Sequence, residues 1–205
     1  MSKIYLARHG QDEDNANGIL NGQRDTGLTK LGVEQAELLA TNIKKYNLDI
    51  NKIYTSPLQR AYKTAEIVSN NLGLDKPEIL DSLIERDFGI MTGRFVKDIE
   101  RLCAPDIIKS DPVTYFLSPA NAETFPQLIE RATNLLASLN TENFDGNMLL
   151  VTHGDIGKMI YTAYYKLDWK GVLRDFHFGN SEVLLLSKDS RPEDRYIHKA
   201  KQHNH

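Results

Sequence analysis

The sequence predicts an α/β protein, a three-layer α/β/α sandwich with a mainly parallel central sheet. Two observations predict this fold. Short apolar runs, typical of buried strands, alternate along the chain with longer segments whose apolar residues recur at helical spacing. In addition, two of the predicted strands end in the dipeptide His-Gly, at His9-Gly10 and at His153-Gly154. Because ligands of such sheets bind beyond the carboxyl ends of the strands, both observations indicate a site at one edge of the sheet.

The first half of the chain supplies two predicted strand–helix units. The predicted elements are a strand over 3–7 with Arg8 at its exit, a loop over 11–26, a helix from the N-cap Thr29 through Tyr46, a strand over 52–55, and a helix that begins at Ser56-Pro57 and that Gly73 ends. In that second helix, we expect Ser56 to be the N-cap and Pro57 the first helical residue.

The second half continues the alternation after one interruption. Residues 86–122 are rich in glycine and proline, and we expect them to be a small insertion that caps the pocket, with one helix near 96–102. The other predicted elements are a strand over 78–80, a helix over 123–139, a strand over 148–152, a helix over 155–165, and two pairing strands over 183–187 and 195–198. Residues 1–205 are thus predicted to form a single domain, with a loose polar tail after Lys199.

Composition narrows the class of protein. Lys and Arg number 25 against 28 Asp and Glu, which gives a net charge of −3 and argues against a general nucleic-acid or membrane-surface binder. The single cysteine, Cys103, excludes an intrachain disulfide and fits a reducing compartment. The first apolar run is too short for a secretory signal, and no stretch approaches the ~20 apolar residues of a membrane span. We expect a cytoplasmic protein, and the sequence does not predict its oligomeric state.

The tripeptide Arg8-His9-Gly10 carries the strongest chemical signal. A strand that ends in this way delivers a guanidinium and an imidazole to one point, a pairing suited to holding and attacking a phosphoryl group. The second predicted strand exit, His153-Gly154, suggests two histidines that face each other across one pocket.

With these motifs the chain resembles the histidine phosphatase superfamily, also called the phosphoglycerate mutase-like family. The matching motifs run in order over nearly the whole chain, and a chance match of all of them is very improbable. They are Arg8-His9-Gly10 with Asn15, Asp25 with Leu28-Thr29 and Gly32, Gln35-Ala36, Ser56-Pro57-Leu58 with Arg60-Ala61 and Thr64-Ala65, Glu85 with Phe88-Gly89 and Gly93, Glu123, and His153-Gly154.

The resemblance, together with the chemistry of the side chains, implies a role for each site residue. The implied roles are His9 as the nucleophile that becomes phosphohistidine, Arg8 and Arg60 as ligands of the phosphoryl oxygens, a cationic His153 that stabilises the transferring group, Glu85 as general acid and base, Asn15, Asn21 and Gly22 as substrate contacts, and Gly10 and Gly154 as positions where the backbone approaches the phosphate. These basic groups can neutralise a phosphate without a metal or other cofactor.

Two alternatives concern individual residues. One branch of the superfamily carries its acid as an Asp immediately after the second His, whereas here Gly154 intervenes and Asp155 follows, so we favour Glu85. No His-x-x-x-His, His-Glu-x-x-His or Cys pair predicts a metal site. The remaining histidines, which fit no ligand spacing and are not placed in the site, are His177, His198, His203 and His205.

The chain departs from the family at two places. Many relatives follow Arg-His-Gly with Glu-Thr or Glu-Ser, where this chain has Gln11 and Asp12, which leaves the hydrogen bonding at the pocket mouth open. The mutases also carry an Arg-Arg pair in the insertion, where this chain has only Arg94 and Arg101, which are separated. We therefore favour a phosphatase of small phosphate esters over a cofactor-dependent phosphoglycerate mutase. A third alternative is a pseudo-enzyme that binds phosphorylated ligands without turnover.

Overall fold

The structure, a computed structural model, describes residues 3–111, 113–139 and 145–189, and the backbone of residues 196–198. Within these ranges strands and helices alternate as predicted. The strands are β1 (Ile4–Arg8), β2 (Ile50–Thr55), β3 (Glu78–Ile79), β4 (Ile107–Lys109), β5 (Thr114–Phe116), β6 (Asn147–Thr152), β7 (Val183–Leu186) and β8 (Tyr196–His198). The helices are α1 (Glu13–Ala16), α2 (Lys30–Lys45), α3 (Gln59–Leu72), α4 (Ile99–Cys103), α5 (Phe125–Ser138), α6 (Gly154–Tyr165) and α7 (Trp169–Asp175).

The central sheet has the strand order β3-β2-β6-β1-β7-β8 over the described residues. The first four strands are parallel, whereas β7 runs antiparallel to β1 and β8 runs antiparallel to β7, so the prediction of a mainly parallel sheet is confirmed. Arg8 at the end of β1 is in register with Thr152 at the end of β6. The two residues that follow, His9 and His153, are thereby brought to the same edge.

Apolar side chains cover both faces of the sheet because successive strand residues point to opposite sides. In β1, Ile4 and Leu6 pack on one face against residues of α5, α6 and α7. Tyr5 and Ala7 pack on the other face against residues of α2 and α3. Helices on both faces make the predicted three-layer sandwich, and within the described residues no helix is long and apolar enough to cross a membrane.

Residues 86–122, the predicted insertion, have a small apolar core of their own. Two 3₁₀ turns, α4 and a β4–β5 hairpin enclose a small cluster of buried residues, which are Phe88, Met91, Ile99 and Phe116. The predicted helix near 96–102 is present as a 3₁₀ turn over Val96–Asp98 that continues into α4. The hairpin was not predicted, because strands of three residues are too short to show alternation. The predicted polar tail after Lys199 lies outside the described residues.

Two helix boundaries test the capping predictions. The Thr29 side chain accepts a hydrogen bond from the Gly32 N–H (3.0 Å), so the predicted N-cap of α2 is confirmed. The expected cap at Ser56 is wrong, since α3 begins at Gln59 after Leu58, which makes no side-chain cap. The short helices α1 and α7 were also not predicted, although Asp12 caps α1 and two acidic residues follow it.

Candidate active site

Two buried histidines face each other where β1 and β6 end. His9 is 2 % exposed and His153 is fully buried. Their ring centroids lie 5.0 Å apart, with the ring planes inclined by 59°. The parallel pairing of the two strands produces this closeness, because each histidine follows directly after the last paired residue of its strand.

The hydrogen bonding of His9 fixes its tautomer. Its Nδ1 lies 2.6 Å from the Gly10 carbonyl oxygen, which can only accept, so Nδ1 carries the proton and Nε2 carries the lone pair. Burial, with the guanidiniums of Arg60 and Arg8, holds the pKa of His9 well below its ordinary value of 6.5. His9 is therefore neutral, and its Nε2 is chemically able to attack.

His153 is neutral as well, with the opposite tautomer. The Nε–H of Arg60 donates to its Nδ1 (3.2 Å), so the proton resides on Nε2, which donates to the hydroxyl of Ser56 (2.7 Å). Burial lowers its pKa well below 6.5, helped by Arg60, His9 and Arg8. A second proton on His153 would have to be held beside two guanidiniums and away from water, which favours the neutral ring. The cationic His153 expected against a bound phosphate stays a prediction.

Arg60, in the first turn of α3, holds the loop that follows β1. Its side chain is fully buried and donates to the carbonyl oxygens of Arg24 (2.6 Å) and Gly22 (2.7 Å). Gly22 has a φ of +50°, and a Cβ at this position would lie 3.0 Å from the ring of Phe88, so a larger residue would disturb the loop. Burial lowers the pKa of the Arg60 guanidinium, and the carboxylates of Asp12 and Glu85 oppose that shift.

Arg8 offers a free donor. Its Nη1 donates to the carbonyl of Phe178 (3.0 Å), whereas its Nε is buried with no hydrogen-bond partner among the described residues. Buried donors are almost always paired in proteins, so this N–H is a candidate donor to an anionic ligand. A Cβ on Gly154 would lie 3.7 Å from both Arg8 Cζ and Glu85 Oε2, so this glycine lies between the guanidinium and the carboxylate.

Glu85 lies beside the first turn of α6, where it accepts backbone N–H groups. One oxygen accepts from Arg86 (2.8 Å) and Ile156 (3.1 Å), and the other accepts from Asp155 (3.2 Å). Burial raises the pKa of this carboxyl, and the nearby charge of Asp155 raises it further, while the three N–H groups act in the opposite direction. The Glu85 carboxyl therefore stays protonated to a higher pH than an ordinary glutamate does.

The rival carboxylate, Asp155, is already engaged. The Nε–H of Arg86 donates to its Oδ2 (2.8 Å). Arg86 is 1 % exposed, and its guanidinium lies 4.4–4.9 Å from the centroids of three rings, those of Phe88, Phe116 and Phe125. Asp155 Oδ2 is therefore engaged in an ion pair with a buried cation.

The loop over 11–26 places the predicted substrate contacts near the histidines. The side chain of Asn21 donates to Asp12 Oδ2 (2.8 Å), and Asn180 lies within 3.5 Å of the side-chain oxygen of Asn15. Asn180 also donates to the carbonyl of His9 (2.9 Å). The loop is therefore connected to His9 both through Asp12 and through Asn180.

The structure allows different amounts of space for a side chain at the two glycines that follow the histidines. A Cβ on Gly10 would lie 2.3 Å from the carbonyl oxygen of Gly32, so Gly10 permits the close approach of α2. This packing requires a glycine at position 10 by itself, and the expected approach of its backbone to a phosphate stays a prediction. Gly154 meets only ordinary contacts and has room for a ligand or a methyl group.

Sequence reasoning missed four residues of the site, namely Asp12, Ser56, Arg86 and Asn180. The sequence marks Asp12 only as a departure from the family, and it predicts Ser56 as a helix cap. For Asn180 the sequence carried no signal. Across the described residues, no group of three or more His, Cys, Asp or Glu side chains is arranged to hold a metal ion.

Comparison with known proteins agrees with this geometry. The family model of the histidine phosphatase superfamily (branch 1) matches residues 4–193. The candidate phosphoserine phosphatase 2 of Hydrogenobacter thermophilus is 35% identical over 156 residues, which are 75% of this chain and 74% of that protein. The 2,3-bisphosphoglycerate-dependent phosphoglycerate mutase of Parvibaculum lavamentivorans is 34% identical over 130 residues, 62% of each chain. A phosphoserine phosphatase mutant of Entamoeba histolytica, solved with phosphoserine, superposes with a TM-score of 0.71 at 25% identity over 90% of each chain. The family match includes every residue of the site, and the chain belongs to the histidine phosphatase superfamily.

Proposed function

We propose that the protein is a phosphomonoester hydrolase that acts on a small phosphorylated metabolite through a phosphohistidine intermediate on His9. The observation that carries the proposal is the neutral, buried His9, whose Nδ1 proton is held by Gly10 and whose Nε2 retains its lone pair. The unpaired Nε–H of Arg8 supports an anionic ligand at the same point.

In the first step the ester phosphate is bound by Arg8 and Arg60, which offset its charge. The Nε2 lone pair of His9 forms a bond to phosphorus while the ester P–O bond breaks. The leaving oxygen takes the bonding pair and receives a proton from Glu85, whose raised pKa favours the protonated form needed for this role. The alcohol then departs and the phosphoryl group remains on His9.

In the second step water attacks phosphorus. Glu85, now a carboxylate, accepts a proton from the water as the new P–O bond forms, and the P–N bond breaks with its electron pair returning to Nε2. The neutral His153 contributes by accepting from Arg60 and donating to Ser56, which holds the guanidinium in place. Each residue thereby returns to its starting protonation state.

Hydrolysis is favoured over phosphoglycerate mutation by the cap. A mutase must hold the second acidic group of its substrate while the phosphoenzyme waits. Of the two separated cap arginines, Arg101 points to solvent with 69 % of its side chain exposed and donates to Asp98 (3.1 Å). Relatives of both kinds exist, since one is named a phosphoserine phosphatase and another a phosphoglycerate mutase. Mutation is therefore the second candidate.

Phosphate release from a panel of phosphorylated metabolites, with phosphoserine and 3-phosphoglycerate included, tests the proposal. We expect release from at least one ester, negligible interconversion of 2- and 3-phosphoglycerate, and an acid-labile phosphoenzyme. His9→Ala should abolish both release and phosphoenzyme. Binding without turnover would support the pseudo-enzyme, and efficient interconversion would support the mutase. If His9→Ala retains more than a trace of activity, the nucleophile is wrongly assigned.

A further inference from the structure

A buried carboxylate outside the catalytic steps lies next to the nucleophile. Asp12 is fully buried, and its Oδ2 is 3.8 Å from His9 Nδ1 and 3.5 Å from Arg60 Nε. Its other oxygen, Oδ1, caps α1 by accepting from the Asn15 N–H (2.8 Å). The two oxygens therefore face different partners, one the helix and the other the site.

The surroundings of Asp12 fit an ionised carboxylate. Two N–H groups donate to it, the Asn15 backbone N–H and the Asn21 amide, both at 2.8 Å. Arg60 Nε lies 3.5 Å and the protonated His9 Nδ1 lies 3.8 Å from its Oδ2, so positive charge on either group would favour the carboxylate. Burial and the nearby Asp14 raise the pKa of Asp12, while the Asn15 N–H, Arg60 and Arg8 counter that rise. Helix capping alone does not require a buried charge, since Ser or Asn caps a helix as well.

The proposed phosphohistidine intermediate carries a charge that the Asp12 carboxylate can stabilise. When neutral His9 bonds to phosphorus through Nε2, its ring still carries the Nδ1 proton and becomes a cation. The Gly10 carbonyl accepts a hydrogen bond from this N–H, but it carries no charge that could offset the cation. Asp12 Oδ2 is the carboxylate oxygen that the structure places beside the same nitrogen.

We propose that Asp12 is a positioning residue that stabilises the cationic ring of phosphorylated His9. This inference rests on the proposed phosphohistidine mechanism. Stabilising the cation speeds its formation and slows its loss, so Asp12 affects the two half-reactions in opposite senses. A residue that only held the fold together would slow both.

The test is a burst experiment with p-nitrophenyl phosphate, which separates phosphorylation of His9 from hydrolysis of the phosphoenzyme. In Asp12→Asn, which keeps a good N-cap, the phosphorylation rate constant should fall by about tenfold or more, as expected for loss of an opposite charge near 4 Å. The hydrolysis rate constant should not fall in parallel. Asp12→Ser, also an N-cap, should show the same divergence if the asparagine amide disturbs folding.

Asp14→Asn is the matched control. Asp14 is buried on the same helix but pairs with Arg24 (2.8 Å), so its removal deletes an equal charge and should leave the ratio of the two rate constants unchanged. Equal slowing of both steps in Asp12→Asn and Asp12→Ser, or the same divergence in Asp14→Asn, would overturn the role of Asp12. Absence of any phosphoenzyme in the wild-type protein would instead overturn the proposed function, and with it this inference.

Discussion

The two neutral histidines make the stability of the fold depend on pH. In the unfolded chain each histidine binds a proton near pH 6.5, whereas in the folded protein burial holds the pKa of His9 and of His153 well below that value. As pH falls below about 6.5, the unfolded state therefore binds protons that the folded state does not bind. The stabilisation is complete above pH ~6.5 and is lost as pH falls toward the folded pKa values.

The size of the effect follows from linkage. Between about pH 7.5 and 5.5, one histidine that stays neutral when folded costs about 1.4 kcal/mol of unfolding free energy, and the pair costs about 2.7 kcal/mol. Both side chains are at most 2 % exposed, so solvent screening does not reduce this figure. Domains are stable by only about 5–15 kcal/mol, so the loss is easily measured. Glu85 and Asp12, whose pKa values are raised, act in the opposite sense at pH values above their ordinary pKa values of 4.5 and 3.8.

The measurement is urea unfolding at a series of pH values. Wild type is compared with His153→Asn, in which the amide oxygen can still accept from Arg60. Because the carboxylates are common to both proteins, the difference between the two curves isolates one histidine. We expect the variant to lose about 1.4 kcal/mol less than the wild type over this range. Identical pH dependence in the two proteins would refute the assignment of a neutral, buried His153.

Two further predictions concern the chemistry. Glu85→Gln should slow hydrolysis of an alkyl phosphate by about 10²–10⁴-fold, and the phosphorylation burst with p-nitrophenyl phosphate far less, because nitrophenolate leaves without a proton. Equal losses would assign Glu85 a structural role, and a selective loss in Asp155→Asn would move the acid there. Phosphate release should persist after EDTA treatment, since Arg8 and Arg60 supply the charge. Activity that EDTA abolishes and a divalent ion restores would contradict this.

The sequence was most informative where strand order and motif coincide. The apolar runs before His9 and His153 predicted adjacent strand ends, and the parallel pairing of β1 with β6 brings the two rings to 5.0 Å. Arg60 was expected near the phosphate, yet its contacts with Arg24 and Gly22 show that it also holds the loop. The hydrogen bonds to the loop depend on the backbone conformation of residues 22–24, and the position of Arg60 in its helix does not predict that conformation.

Tertiary competition explains what the sequence did not predict. Ser56 followed by proline is a good local signal for a helix start, but its hydroxyl lies 2.7 Å from His153 Nε2 and the helix begins three residues later at Gln59. The sequence around Arg86 does not predict its three aromatic neighbours. Two of them, Phe116 and Phe125, lie about 30 residues or more further along the chain. Contacts of this kind arise only when distant segments meet.

Burial shifts the protonation of both His9, the proposed nucleophile, and Glu85, the proposed acid. The ordinary pKa of histidine is 6.5 and that of glutamate is 4.5, so between these values both groups are charged, which suits neither role. Burial disfavours charge of either sign, and it therefore lowers the pKa of His9 while raising that of Glu85. The guanidiniums of Arg8 and Arg60 bring the positive charge that the proposed phosphate ligand needs. Burial thus favours both the unprotonated His9 and the protonated Glu85 that the proposed mechanism requires, while the guanidinium of Arg60 favours the ionised form of Glu85.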